Sequence, residues 1–220
     1  MEARVRAATD GRCSERPGRH GAGEVAQGRR VSGHVFLETE RLILRRFTRA
    51  DADVLFALDD DAQVMRYING GLPASLEEIE RDDLTHFLKQ YEALPGWGFW
   101  AAIERSTGAF LGWFHLRPNK GAPDDEPDLG YRLHRSAWGR GYATEGSRAL
   151  IDKAFRELGA RRVVANTMVV NNASWRVMEK SGMRRVRLFH ADWPVKIDGD
   201  EHGDVEYAIT REEWLAGESR

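Results

Sequence analysis

The residues Trp138-Gly139-Arg140-Gly141-Tyr142-Ala143-Thr144-Glu145 have the types and spacing that paired phosphates require. A diphosphate is held by several N–H donors that converge on it, with no side chain in the way. Gly139, Gly141 and Ala143 remove that bulk. The stretch lies between a predicted strand and a predicted helix, and a helix start offers free N–H groups at the positive end of its dipole. One such dipole interaction is worth only about 0.3–1 kcal/mol at an exposed site, so several donors must act together. No Gly-Lys-Ser/Thr follows, which excludes a P-loop, and the glycines do not have the spacing of a dinucleotide fingerprint. Taken alone, the spacing fits a close-packed strand-to-helix turn equally well.

The elements that must position this turn are legible around it. Arg41 to Phe47 reads as a first strand. Thr48 and Asp51 form an N-terminal capping pattern for a helix through Val54, Leu55 and Leu58. Asn69-Gly70-Gly71 breaks the chain, and Ser75 with Glu78 opens a helix to about Tyr91. Trp97–Ile103 and Phe110–Leu116 form a hairpin around Ser106-Thr107-Gly108. Leu129–His134 is a further strand, and Gly141–Leu158 has helical spacing. Arg162–Met168 is β-branched and extended. Asn172–Ser181 is a short helix stopped by Gly182. Strands near 184–190 and 204–209 precede the capping pattern Thr210-Arg211-Glu212-Glu213. This order predicts a mixed α/β sheet with helices on both faces.

The 220 residues suit one domain with a tail. Residues 1–34 carry seven Arg, many Gly and few large apolar side chains, which predicts a disordered tail ahead of a domain over 35–220. The tail lacks the apolar core of a signal peptide. A net charge of −2 gives no global pull towards nucleic acid or membrane, although an Arg-rich arm is one way to touch RNA. No apolar run approaches the roughly 20 residues of a membrane span. The single cysteine, Cys13, forms no intrachain disulfide and fits a reducing cytoplasm. The histidines show no metal-ligand spacing, so no metal is expected. Trp97, Trp100 and Trp113 read as hairpin packing. The oligomeric state is open, with a homodimer as one option.

Three motifs in order carry a family resemblance. Gly141-Tyr142-Ala143 matches the second half of R/Q-x-x-G-x-G/A, the pyrophosphate loop of the GNAT N-acetyltransferases, with Trp138 in the place of the Arg or Gln. A W-G-x-G-Y-A form resembles the ribosomal-protein N-terminal (RimJ/RimL-like) branch. Glu38–Arg45 resembles that branch's first strand, and Leu129-Gly130-Tyr131 its fourth. Asn171–Met183 resembles its N-x-x-S helix and the E-K-x-G-M that follows. The likeness covers about 36–215. It implies a GNAT-like, mostly antiparallel sheet and acetyl transfer from acetyl-CoA to a primary amine, on a small molecule or a protein N-terminus.

The resemblance also implies roles. Acetyl transfer needs a neutral amine, a stabilised oxyanion and a protonated leaving thiolate. An amine with a pKa near 10.4 is only about one part in a thousand neutral at pH 7, so a carboxylate that takes its proton helps. Asp128 holds the family's acidic position on the fourth strand, with Glu126 as substitute; otherwise Asp128 merely ends the surface run Asp124-Asp125-Glu126. Ser174 stands where a thiolate acid is expected, although it also suits helix capping, and no tyrosine earns that role from sequence. A backbone N–H near Leu133 is the implied oxyanion donor. Asn171 is expected on the pantetheine amide, as an N-cap, or both. The coenzyme loop would be Trp138, Gly139, Arg140, Gly141, Tyr142, Ala143 and Thr144. The acceptor is expected between Tyr67–Gly71 and the acidic loop Trp193–Asp204. The rival readings are an acyl-CoA-binding module without turnover and a nucleic-acid-associated protein.

Overall fold

The computed structural model describes residues 33–218. The disordered tail expected over 1–34 falls, except for its last two residues, outside them. Strand β1 (Val35–Glu38) turns through Thr39 into β2 (Leu42–Arg46). A 3-10 turn at Arg49–Asp51 leads into α1 (Ala52–Asp59), and Thr48 and Asp51 form the expected capping box. Asp51 is also locked by a buried 2.6 Å ion pair with Arg45.

The next helix, α2 (Ala62–Asn69), was not recognised in the sequence. Asp61 caps it through the Gln63 N–H, and Gly70 ends it at φ 78°. Its signal was short: one N-cap acid followed by Val64, Met65 and Ile68 at helical spacing. The helix predicted from Ser75 to about Tyr91 is broken into α3 (Leu76–Glu78), a π-helical segment at Ile79–Asp83 and α4 (Leu84–Ala93). The remaining elements lie close to their predicted places. They are β3 (Gly98–Glu104), β4 (Phe110–Pro118), β5 (Pro127–Leu133), α5 (Tyr142–Arg156), β6 (Arg162–Met168), α6 (Asn172–Lys180), β7 (Arg184–Phe189), β8 (Asp204–Thr210) and α7 (Arg211–Glu218).

Among the described residues the strands form one eight-stranded sheet in the order β1-β2-β3-β4-β5-β6-β8-β7. Neighbours are antiparallel except β5 and β6, which run parallel. Period-two alternation along each strand feeds two apolar cores, one on each face. Trp100, Ala102, Phe114 and Leu116 pack with α5, α6 and α7. Phe99, Ala101, Ile103 and Trp113 pack with α1 and α4. Gly146 lets α5 lie directly on the sheet, since a Cβ there would come within 2.4 Å of the Phe114 ring. Among the described residues no helix is long and apolar enough to cross a membrane.

The sheet parts in the middle. β5 and β6 pair only at Asp128 and Val164, near their N-terminal ends, and separate beyond that point. The hydrogen-bond parity of β5 decides what faces the gap. His134 N donates to Leu111 O in register with the β4–β5 ladder, so alternate residues Leu133 and Tyr131 turn their N–H and C=O groups away from β4. Those groups face the opening where β6 would have paired.

Candidate active site

The opening between β5 and β6 widens into a cleft of about 790 Å³. Side chains alternate along β5, so Asp128, Gly130 and Arg132 face the α1–α4 side, whereas Leu129, Tyr131 and Leu133 face the α5–α6 side. The cleft therefore joins two half-sites through the sheet.

The α5–α6 half holds the glycine-rich turn. Gly139 and Gly141 sit at φ 69° and 84°, a region that side chains with a Cβ seldom adopt, and α5 begins at Tyr142. Among the described residues the backbone N–H groups of Gly139 to Thr144 have no protein acceptor. Gly139, Gly141, Ala143 and Thr144 line the cleft, as does Trp138, whose indole N–H donates to Leu133 O at 2.8 Å. A run of unengaged amides at a helix N-terminus fits a diphosphate. Arg41 braces the turn from the β1–β2 corner. Its Nη1 donates to the Arg140 carbonyl at 2.9 Å, and its Nε donates to Glu145 at 2.6 Å. Thr39 and the Arg41 N–H also bond Glu145. Burial would raise the Glu145 pKa, but the bonds from Thr39 and Arg41 outweigh it and hold the carboxyl below its ordinary value.

Two side chains of this turn leave the cleft. Arg140 reaches Glu104 at 3.3 Å, and the buried Tyr142 hydroxyl also donates to Glu104. Both residues therefore offer only their backbone amides to the loop.

Asn171 caps α6. Its Oδ1 accepts from Ser174 N at 3.4 Å, and its Nδ2 donates to Thr167 Oγ1 at 3.1 Å. Ser174 and Tyr131 both line the cleft, with the serine side chain close enough to the phenol to act on it electrostatically. Burial pushes the Tyr131 pKa up to about 12, so the phenol keeps its proton. The sequence reading missed this tyrosine because it lies on β5, forty-three residues before the serine it meets.

The α1–α4 half holds Asp128. Its Oδ2 accepts from His115 Nε2 at 2.9 Å, and Asn166 Nδ2 lies 3.4 Å from its Oδ1. Burial pushes the imidazole pKa down, so His115 is neutral at pH 7 and donates from Nε2. For Asp128, burial alone would raise the pKa, but the hydrogen bond from His115 and the positive charge of Arg117 hold the carboxyl below its ordinary value. His115 fits only because residue 130, directly opposite, is glycine. Two buried acceptors near Asp128, His115 Nδ1 and Asn166 Oδ1, have no partner among the described residues. Neither His115 nor Asn166 was foreseen; lone polar residues on strands carry no spacing signal. Glu126, the substitute base, is bound by Arg161 and by Arg162 at 3.1 Å, and does not line the cleft.

Of the stretch Tyr67–Gly71, Tyr67 and Ile68 of α2 line the cleft, whereas Asn69, Gly70 and Gly71 do not. Nor do the acids of the 193–204 loop. Asp204 is buried and accepts from Ala191 N and Trp193 Nε1, both at 3.2 Å, and Asp200 accepts from Ile197 N at 3.2 Å. They shape the loop that follows Ala191, and Ala191 itself lines the cleft. Among the described residues no cluster of three His, Cys, Asp or Glu is placed to hold a metal ion.

The comparisons with known proteins agree with this geometry. Residues 41–184 match the family described as acetyltransferase (GNAT) domain. An FsC-acetyl coenzyme A-N(2)-transacetylase of Aspergillus fumigatus is 35% identical over 185 residues, covering 81% of this chain and 77% of the relative. Among solved structures, a GNAT-family acetyltransferase from Bacillus anthracis is 25% identical with a TM-score of 0.64, covering 80% of this chain and 98% of that one. A spermidine N-acetyltransferase from Vibrio cholerae, in complex with CoA and spermine, shares the fold at 16% identity with a TM-score of 0.66, covering 80% of this chain and 99% of its own. With a matched domain spanning well over half of its residues, this chain belongs to the GNAT acetyltransferase family.

Proposed function

We propose that this enzyme transfers the acetyl group of acetyl-CoA directly to a primary amine held beside Asp128, on a small molecule or a protein N-terminus. The observation that carries the reading is the cluster of acceptors in the α1–α4 half. Asp128 is ionised, and near it His115 Nδ1 and Asn166 Oδ1 are buried with no donor among the described residues. Asp128 lines the cleft and is the acceptor a ligand can reach there, so this pocket favours a ligand that brings N–H groups. An amine does so.

On this reading the residues divide the work by face. The amides of Gly139 to Thr144 hold the diphosphate of the coenzyme, and Asn171 bonds its pantetheine amide. The N–H of Leu133, turned into the gap, donates to the thioester oxygen as it becomes an oxyanion. Asp128 takes the proton that the amine loses as the new C–N bond forms. When the C–S bond breaks, the Ser174 hydroxyl donates a hydrogen bond to the leaving sulfur, which takes up a proton by way of water as Asp128 returns the one it received from the amine. The opening in the sheet lets the two half-sites meet at one carbonyl carbon.

The test is thiol release from acetyl-CoA with a panel of amines, alongside coenzyme binding. Turnover with some amine is expected. Asp128→Asn should lower kcat by about 10²–10⁴, the usual worth of a positioned base, with acetyl-CoA affinity retained. Coenzyme binding without thiol release across a broad panel would favour a non-catalytic acyl-CoA module instead.

A further inference from the structure

The charges that line the acceptor half are lopsided. Arg66 of α2, Arg117 of β4 and Arg132 of β5 face this half of the cleft, against one carboxylate, Asp128. Arg132 is matched by Asp59, a buried ion pair at 2.5 Å. Arg117 is buried at 4% exposure, stands opposite Asp128 in the β4–β5 register and acts electrostatically on it. Arg66 lies 5.1 Å over the Tyr67 ring and, among the described residues, pairs with no carboxylate. None of the acids of the 193–204 loop, Asp198, Asp200, Glu201 and Asp204, lines the cleft, and Asp200 and Asp204 are turned to backbone and indole N–H groups in their own loop. A ligand with two or more positive charges would meet net positive charge here, whereas a carboxyl oxygen would find an open guanidinium edge.

We infer that the acceptor is an amino-acid-type amine, one that carries a carboxyl-level oxygen a few bonds from the reacting nitrogen. Asp128, held by His115 and Asn166, takes the N–H end, and Arg66 takes the oxygen, as a free carboxylate, an ester or an amide. Polyamines are disfavoured. Tyr67, Trp113 and Phe189 line the same half and leave room for an apolar or aromatic side chain. The inference rests on the acetyl-transfer reading above.

Matched pairs that differ by one carboxyl group test it. With the full-length protein and acetyl-CoA, kcat/KM is measured for phenylalanine, its methyl ester and its amide against 2-phenylethylamine, and for lysine against 1,5-diaminopentane. The carboxyl-bearing members should be preferred by about tenfold or more, as expected for a charge-assisted hydrogen bond. The order among acid, ester and amide identifies which oxygen is recognised. Arg66 is exposed, so Arg66→Glu should fold normally. It should erase the preference while the KM for acetyl-CoA holds. Equal or better use of the decarboxylated partners, or a preference that survives Arg66→Glu, overturns the inference and leaves acetyl transfer standing. Absence of thiol release with every amine overturns the reading beneath it, and the inference with it.

Discussion

His115 and Gly130 face each other across β4 and β5 so closely that a Cβ on residue 130 would stand 2.5 Å from the imidazole Cε1. The ring occupies the space that any other residue would fill, and from there Nε2 reaches Asp128 at 2.9 Å. The glycine thus sets the position of the carboxylate through the histidine.

Gly130→Ala should therefore act on catalysis more than on fold. The imidazole must shift, and the bond to Asp128 lengthens or breaks. A misplacement of about 1 Å can cost about a hundredfold in rate, and overpacking costs about 1–3 kcal/mol of stability. The expected result is a large fall in kcat with a moderate loss of Tm and little change in acetyl-CoA affinity. Steady-state kinetics and thermal melts on the same preparation check it.

Arg41 sits outside the cleft yet holds the glycine-rich turn by the Arg140 carbonyl and by Glu145. Arg41→Ala should loosen the run of free amides and weaken acetyl-CoA binding by about tenfold, with a smaller effect on the KM for the amine. Calorimetric titration with coenzyme A measures it. Unchanged affinity would mean that the turn is set without this brace.

Ser174 and Tyr131 lie near each other beside the opening. If they serve the leaving sulfur together, Ser174→Ala and Tyr131→Phe should each lower kcat, and the double variant should be little worse than Ser174→Ala. Two groups acting as a unit give such non-additive losses. Additive losses would indicate separate roles.

Asp83 gives a pH prediction away from the chemistry. Burial, then the neighbouring charge of Asp59, raises its pKa from 3.8 to about 6 in the folded chain. The folded state then binds this proton more tightly than the unfolded state. The favourable contribution is complete below about pH 3.8 and is lost as the pH rises through about 6, which leaves a penalty above that. Asp83→Asn removes the penalty. It should melt higher than the parent at pH 7.5, and the gap should close as the pH falls towards 4. Melting curves across that range show whether it does.

Much of this protein was settled by its sequence alone. Strand β6 could be read at Arg162–Met168 because its β-branched run is local, and the capping pairs Thr48–Asp51 and Thr210–Glu213 marked helix starts because caps form between residues three apart. The turn at Gly139 and Gly141 was visible because a positive φ leaves a mark on residue choice. Tertiary structure decided the rest. Only the sheet order placed β5 beside β6 and let them part, so that Leu133 and Tyr131 face a gap rather than a partner strand. Only the β4–β5 register brought His115 to Asp128, and only the seating of α6 brought Ser174 to Tyr131. The physical reason is that these contacts join residues far apart in the chain. A side chain whose partner is chosen by sheet register leaves no periodicity or spacing behind, so nothing in the linear sequence marks it.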